Sequence, residues 1–243
     1  MHYDELWPGG LRLIRSDDAF RLGTDAVLLS AFAGTVGVNR VCDLGSGSGI
    51  IALLLAWENR NIRAEGIEIQ PKAVLAAREN IKLNGLADRV SILEGDLRCH
   101  RTMQGAGAFD LVVSNPPYFP VSSGRSPDEE SAATAREERT CTLRDVCTAA
   151  AYFTRWGGKF AVVHRPERLS ELFCAMTDSG IEPKRLRFVE NKLGSVPSLV
   201  LVEGRRGGKP GLTIEQPLVL CGEDGGDTYE VRRIYHRYQD RIG

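Results

Sequence analysis

The chain has 243 residues, 42% of them hydrophobic and 26% charged, and its 31 Lys and Arg nearly balance 32 Asp and Glu for a net charge of −1. That composition excludes disorder or collagen-like repetition for the bulk of the chain, and it excludes an all-over basic nucleic-acid coat while leaving room for a local basic face. The longest apolar run, Ile50 to Trp57, falls far short of a membrane span of ~18 residues. The segment Met1 to Gly10 has no basic n-region of a secretory leader. The six cysteines (Cys42, Cys99, Cys141, Cys147, Cys174 and Cys221) form no CxxC. The expectation is a cytoplasmic protein with reduced thiols, no bound metal and no membrane association.

In chain order, Thr24 to Ala33 is predicted as a helix. Thr24 or Asp25 caps it, Val27, Leu28, Ala31 and Phe32 form its apolar face, and Gly34 and Gly37 end it. Arg40 to Leu44 reads as a short strand running into Gly45-Ser-Gly-Ser-Gly49 and then a helix from Ile50 to Trp57. Arg63 to Ile69 is a second strand, and Pro71 opens a helix that Asn84-Gly85 closes after Leu83. Val90 to Leu93 and Phe109 to Ser114 are further strands, the latter followed by Asn-Pro-Pro-Tyr. Ser122 to Arg139 is polar and charged and reads as a mobile loop. Leu143 to Phe153 is predicted helical and ended by Gly157-Gly158; Lys159 to Val163 is a strand, and Pro166 starts a helix that stops at Gly180. Leu186 to Glu190 and Ser198 to Gly204 look like paired strands punctuated by Pro183 and Pro210.

Strand and helix alternate, and the strands are nearly continuous apolar runs, which argues for a doubly wound, mostly parallel α/β sheet covered on both faces. The C-terminal strand pair is expected to add antiparallel to its edge. The organisation expected is one domain over 1–243: an extension with a helix over 1–39, an α/β core over 40–180, and antiparallel strands with a basic tail over 181–243.

Three short segments carry the chemistry. In Val41-Cys-Asp-Leu-Gly-Ser-Gly-Ser-Gly49, Gly45 and Gly47 permit a tight turn and close approach of a ligand to the backbone. A structural turn or a nicotinamide site uses similar loops, but Asp43 is poorly placed for a pyrophosphate and suits a ligand with an ammonium group. Glu68 ends the second strand, where a carboxylate reaches ribose hydroxyls in doubly wound folds; a solvated strand end is the plainer alternative. Asp96 can accept from an adenine amino group or simply cap a loop. The third segment is Asn115-Pro116-Pro117-Tyr118. Two prolines stop a strand's hydrogen-bond ladder, so the Asn115 side-chain oxygen and the Pro116 carbonyl can both accept from one planar NH2 group. Tyr118 offers a face for stacking a planar substrate.

Asp43 to Gly49, Glu68, Asp96 and Asn115 to Tyr118 together resemble the class I S-adenosylmethionine-dependent methyltransferases that modify exocyclic or amide nitrogens. Arg21 to Leu29, His164 to Leu169, Glu182 to Phe188 and Lys209 to Leu212 resemble the subfamily related to the tRNA1(Val) adenine-N6 methyltransferases. At Glu137 the chain departs from the Ala-Arg-His-Glu stretch common after the Asn-Pro-Pro-Tyr segment in such relatives. The resemblance implies a seven-stranded Rossmann-like sheet and S-adenosyl-L-methionine as cofactor. It places the methionine part over Gly45, Gly47 and Gly49, with Thr24 and Asp25 closing that end. Glu68 and Ile69 fall at the ribose, and Asp96 and Leu97 at the adenine. It implies that Asn115, Pro116, Pro117 and Tyr118 act on the target base, Asn115 lying next to the cofactor as well, and that the substrate is the N6 of an adenine near the anticodon of a tRNA1(Val)-type tRNA. Another RNA base, a protein glutamine amide and a catalytically silent RNA-binding protein stay as alternatives. Only about forty residues precede the glycine loop, which disfavours the glutamine enzymes with their large preceding helical domain. Lys184, Arg185, Arg187, Lys192, Arg205, Arg206 and Lys209, and then Tyr229, Arg232, Arg233, Tyr235, Arg237 and Tyr238, form either an RNA-binding face or a solvated one. His164 reads as a structural strand end, and no histidine is assigned as a base.

Overall fold

The computed structural model describes residues 3–14, 23–117 and 141–236. A nine-stranded sheet forms its centre. In chain order its members are β3 (Arg40–Leu44), β4 (Arg63–Glu68), β5 (Val90–Glu94), β6 (Phe109–Ser114), β7 (Thr154–His164), β8 (Ile181–Glu190), β9 (Leu199–Arg206), β10 (Thr213–Ile214) and β11 (Leu218–Val219). Their spatial order is β10-β8-β9-β7-β6-β3-β4-β5, with β11 also on β8. The strands β5, β4, β3, β6 and β7 run parallel, and β9 is antiparallel to both β7 and β8. The resemblance implied seven strands; the two extra ones are two-residue pieces that pair parallel with the outer edge of β8.

Alternation along the parallel strands builds two apolar layers. Val41, Val113, Ala161 and Val163 face α1 (Thr24–Ala33), α2 (Ile50–Glu58) and α3 (Pro71–Leu83). Cys42, Leu44, Val112, Phe160 and Val162 face α4 (Leu143–Phe153) and α5 (Leu169–Asp178). Helix α1 occupies the predicted span, but Gly23 is its cap and neither Thr24 nor Asp25 caps it with a side chain. A small hairpin of β1 (Tyr3–Glu5) and β2 (Arg12–Ile14) docks on α3, where Asn84 and Asn80, one turn apart, each accept a backbone N–H from β2 at 2.8 Å.

Two boundaries differ from the sequence reading for backbone reasons. Helix α4 passes straight into β7 at Thr154, and Gly157-Gly158 lies inside the strand, where the pairing with β6 shifts register between Phe109 and Leu111. Gly157 holds φ +73°, so it supplies a bulge within the strand and not a helix stop. Pro183 likewise sits within β8, beside a register shift between Pro183 and Arg185 that accommodates its missing N–H. The expected basic tail contains a short helix, α6 (Tyr229–Ile234), capped by the Thr228 hydroxyl.

Candidate active site

The C-terminal ends of β3, β4, β5 and β6 open onto a cleft of about 280 Å3 on the α4 side of the sheet. Its position follows the rule that open α/β sheets bind ligands outside the carboxyl ends of their strands. The glycine loop forms one wall. Gly45 and Ser46 both donate backbone N–H groups to the Ile67 carbonyl, at 2.9 and 3.1 Å, so the loop is folded over the end of β4. Gly45 and Gly47 have φ of +70° and +51° and line the cleft; no atom lies within 4 Å of a Cβ built on either, so φ and not crowding calls for glycine there. Gly49, at φ +80°, starts α2 and packs against Ala77 away from the cleft. Gly66 on β4 is required by space: a Cβ would stand 2.7 Å from the Ser46 hydroxyl.

Glu68 is buried and lines the cleft. One carboxylate oxygen accepts from the Gly47 amide at 2.8 Å and the other from the Gln70 amide at 2.9 Å. Each oxygen has two lone pairs, so the same carboxylate can hold the loop and still accept from ligand hydroxyls. Ile69 and Leu97 line the cleft beside it. Asp96 lines it too, yet its carboxylate caps the turn at Leu97–Thr102 by accepting from the Arg98 amide at 2.9 Å and grips the Arg98 guanidinium with both oxygens. That hydrogen bonding to Arg98 holds Asp96 below the usual carboxylate range.

Asp43 does not line the cleft. Its side chain points to the other face of β3, beneath the glycine loop, where it is fully buried. Burial pushes its pKa up to about 7; the Ala52 amide, in the first turn of α2, offsets only part of that, and the Glu68 charge adds to it. Thr24 and Asp25 are not among the described lining residues either.

Asn115, Pro116 and Pro117 do line the cleft, at the end of β6. Ser114 anchors them by donating its hydroxyl to the Leu44 carbonyl at 2.9 Å, which ties the start of this segment to the start of the glycine loop. Tyr118, Glu137, the 122–139 segment, Arg237 and Tyr238 lie outside the described residues. Sequence reasoning missed the remaining wall. Cys141 and Thr142 before α4, Leu143 and Val146 on it, and His164 and Arg168 beyond β7 all border the cavity. The Cys141 thiol is pushed up to about 11, first by burial and then by Asp145, and stays protonated at neutral pH, so it offers no nucleophile. His164, expected as a structural strand end, does close β7, and the parity of the strand turns it onto the cleft face. No cluster of three or more His, Cys, Asp or Glu able to hold a metal occurs among the described residues. No described helix is long and apolar enough to cross a membrane.

The basic residues of the last third divide. Arg185 stacks on the Phe32 ring at 4.0 Å, donates to the Phe32 carbonyl and pairs with Glu203 at 3.1 Å and Glu215 at 3.3 Å, so it ties α1 to the sheet. Arg187 is bidentate with Glu230, Arg206 donates to the Thr154 carbonyl and Lys184 to that of Lys209. Arg205 is exposed but pairs with Lys159 across β7, whereas His164 pairs with Val200. Those five residues of strand put Arg205 ~16 Å from the cleft end of β7. Arg232 and Arg233 are exposed on α6, and Arg233 borders a separate cavity of about 210 Å3 with Trp7, Trp57 and His236. Arg165 and Lys192 are exposed at the cleft end of the sheet: Arg165 follows His164 and donates to the Ser198 carbonyl at 3.1 Å, and Lys192 is in the β8–β9 turn.

Residues 16–167 match the family model described as "Methyltransferase small domain". A tRNA1(Val) (adenine(37)-N6)-methyltransferase of Porphyromonas gingivalis is 35% identical over 193 residues, 77% of this chain and 75% of the relative. One of the same name from Tolumonas auensis is 32% identical over 207 residues, 85% of this chain and 84% of the relative. Among solved structures, a predicted O-methyltransferase from Agrobacterium tumefaciens superposes with a TM-score of 0.72 at 21% identity, over 88% of this chain and 96% of that one. The TYW2 protein of Pyrococcus horikoshii, in complex with MeSAdo, gives 0.57 at 17%, over 82% of this chain and 69% of that one.

Proposed function

The chain belongs to the small-domain methyltransferase family, and from that premise we propose that it transfers a methyl group from S-adenosyl-L-methionine to the exocyclic N6 of an adenine near the anticodon of a tRNA1(Val)-type tRNA. The observation that carries this reading is the meeting, in one cleft, of the glycine loop, Glu68 and the Asn115-Pro116 acceptors. We read residues 1–243 as a single catalytic domain.

The residues present suit a cationic nucleoside cofactor. Gly45 and Gly47 leave the loop backbone open to close approach, and Glu68 offers lone pairs to ribose hydroxyls. Asp43 is too deep to touch a ligand directly, but its charge lies under the loop and, with Glu68, favours a positive group above it. Leu97 and Ile69 supply apolar contact for a nucleobase, and Asp96, clamped by Arg98, keeps unused lone pairs at the cleft wall. When bound, S-adenosylmethionine supplies an electrophilic methyl on sulfur. The protein's part is to place the nitrogen. An aromatic amine delocalises its lone pair into the ring; accepting both its N–H bonds at the Asn115 side-chain oxygen and the Pro116 carbonyl raises electron density on nitrogen and fixes its direction. Tyr118 provides the stacking face for the flipped base. No strong base is needed, because the nitrogen becomes acidic once methylated.

Incubating the protein with cofactor and unmodified tRNA, then digesting to nucleosides for mass spectrometry, tests the proposal. N6-methyladenosine is expected. Methyl on another nucleoside, on a protein glutamine, or on nothing overturns it. Glu68→Ala should weaken cofactor binding ten- to a hundredfold by calorimetry, because a charge-assisted hydrogen bond is worth ~1.5–3 kcal/mol and the Gly47 amide loses its anchor as well. An unchanged Kd would remove the ribose assignment. For the RNA, charge reversal at Arg165 and Lys192 should lower tRNA affinity and flatten its dependence on salt, as each lost phosphate contact reduces that slope by ~0.7–0.9. Reversal at Arg205, at the far end of the sheet, should do much less. Equal losses at both places would return the RNA face to the whole basic C-terminal third.

A further inference from the structure

We propose that Asn80 is a positioning residue for the glycine loop: its side-chain amide clamps the Ser48 carbonyl, and the N-terminal hairpin fixes the direction of that clamp. This rests on the reading of the loop as the cofactor site and deepens it.

Helix α3 is pressed against the loop. A Cβ on Gly49 would stand 3.2 Å from the Ala77 Cβ, and Asn80, three residues further along the helix, lies on the same side and is buried. Its Nδ2 donates to the Ser48 carbonyl at 3.1 Å. Its Oδ1 accepts from the Ile14 amide of β2 at 2.8 Å. These two partners decide which end of the amide faces which way, because the N–H of Ile14 must meet the oxygen and the carbonyl of Ser48 must meet the NH2. The hairpin therefore does more than cover α3. Without the Ile14 N–H, the Asn80 amide is free to turn its oxygen toward Ser48, where it repels the loop instead of holding it.

Inside the loop, the Ser48–Gly49 peptide is held at both ends: its carbonyl by Asn80 and its N–H by the Ser46 carbonyl at 2.8 Å. The Ser46–Gly47 peptide is held at both ends too, its carbonyl by that same Gly49 N–H and its own N–H by Glu68 at 2.8 Å. Gly47, which lines the cleft, is strung between these two fixed planes. Glycine has the widest backbone freedom of any residue, so ordering a Gly-Ser-Gly-Ser-Gly segment around a ligand costs entropy. Clamps from β4 on one side and α3 on the other impose that order before the ligand arrives, which is how preorganisation raises affinity. Glu68 lines the cleft and can also touch the ligand; Asn80 is not among the lining residues and acts only through Ser48. Its effect should fall on cofactor affinity and not on the methyl-transfer step.

The test measures the Kd for S-adenosylmethionine by calorimetry, well below the melting temperature, together with methyl transfer to tRNA at saturating cofactor. Asn80→Ala should weaken the cofactor roughly 5- to 30-fold, the loss of one hydrogen bond with a buried carbonyl left unpaired. The loss should appear in the KM for cofactor, with kcat close to wild type. Ile14→Pro removes the orienting N–H and keeps Asn80, so it should lose affinity in the same direction by a smaller factor, and it carries the test if Asn80→Ala does not fold. Asn84→Ala is the control: Asn84 docks the same hairpin through Arg12, so its loss should lower the Tm and leave the Kd close to wild type. A wild-type Kd in Asn80→Ala, or in Ile14→Pro if only that variant folds, overturns the proposal. So does an equal loss of affinity in Asn84→Ala, which would make hairpin docking in general the cause, or a fall in kcat at an unchanged Kd. If the wild-type protein binds no S-adenosylmethionine, the cofactor reading itself fails, and the wild-type titration shows this separately.

Discussion

Replacing Asn115 with alanine should cut single-turnover methyl transfer to tRNA by ~10²–10³ while leaving the affinity for S-adenosylmethionine nearly unchanged. The magnitude is that of removing one preorganised hydrogen bond to a reacting group, by analogy with oxyanion-hole donors, ~2.7–4 kcal/mol. The separation of rate from affinity follows from where the groups lie. The glycine loop and Glu68 are held by β3 and β4, and their internal hydrogen bonds run to Ile67, Gly47 and Gln70. Asn115 is carried by β6 and anchored through Ser114 and the rigid Pro116-Pro117 pair, so the variant keeps the loop and its backbone frame. Calorimetry gives the affinity and rapid quench the rate. A wild-type rate in the variant would remove this segment from the chemistry, and a parallel fall in affinity would place Asn115 in the cofactor site instead.

Much of the fold was legible because local and tertiary signals agree. The predicted spans Thr24–Ala33, Pro71–Leu83, Phe109–Ser114 and Leu143–Phe153 coincide with α1, α3, β6 and α4. In each, a cap, a proline or a glycine punctuates an apolar run whose burial the fold then requires. The errors arise where one residue has two uses. Gly157-Gly158 resembles a helix stop but supplies a bulge in β7, because the sheet needs a register shift there that no local pattern reveals. Pro183 resembles a strand boundary but is accommodated inside β8 by a second shift. The strands β10 and β11 are too short to have any periodicity, and only the unpaired edge of β8 recruits them.

The site was legible on one wall only. Glycine loop, strand-end carboxylate and Asn-Pro-Pro are contiguous signals, and the structure brings Gly45, Gly47, Glu68, Ile69, Asp96, Leu97 and Asn115 to Pro117 to one cavity. The opposite wall comes from α4 and β7, tens of residues later, where a histidine at a strand end has no distinctive neighbours in sequence. What could have found it is parity: counting from the core residue Val162, His164 falls on the α4 face, the face that Leu44 and Ser114 share. The basic residues show what chain order alone leaves open. Clustering along the chain left an RNA-binding face and a solvated one open, and antiparallel pairing of β8 with β9 puts Arg205 and Arg206 opposite Ile181 and Glu182, at the end of the sheet away from the cleft. The acidic residues Glu203, Glu215 and Glu230 absorb Arg185 and Arg187.

The cofactor-free protein should be markedly stabilised at alkaline pH by Asp43→Asn. Asp43 ionises near 3.8 in the unfolded chain and about 7 in the fold, because burial disfavours the carboxylate by more than the Ala52 amide stabilises it. Between those values the folded state holds a proton that the unfolded state has released, so folding takes up a proton and stability falls as pH rises. The contribution is fully present below about 3.8 and is lost as pH passes through about 7, beyond which an ionised carboxylate sits in the core. At ~1.4 kcal/mol per pKa unit the full difference is roughly 4 kcal/mol, or on the order of 10 °C in Tm for a chain of this size. Asparagine has the same shape and no charge, so the variant should match wild type near pH 4 and exceed it at pH 8. The difference between the two proteins is the quantity to follow, since Asp96, Asp110, Glu171 and Glu230 are all held low and pull the absolute curve the other way. A buried charge kept at such a cost needs a use, and a positive ligand above the glycine loop supplies one: adding S-adenosylmethionine should raise the Tm of wild type more than that of Asp43→Asn, and most clearly at pH 8. A Tm difference between the unliganded proteins that is flat across pH 4 to 8 would mean that Asp43 is solvated or paired in solution, and the electrostatic part of the cofactor site would have to rest on Glu68 alone.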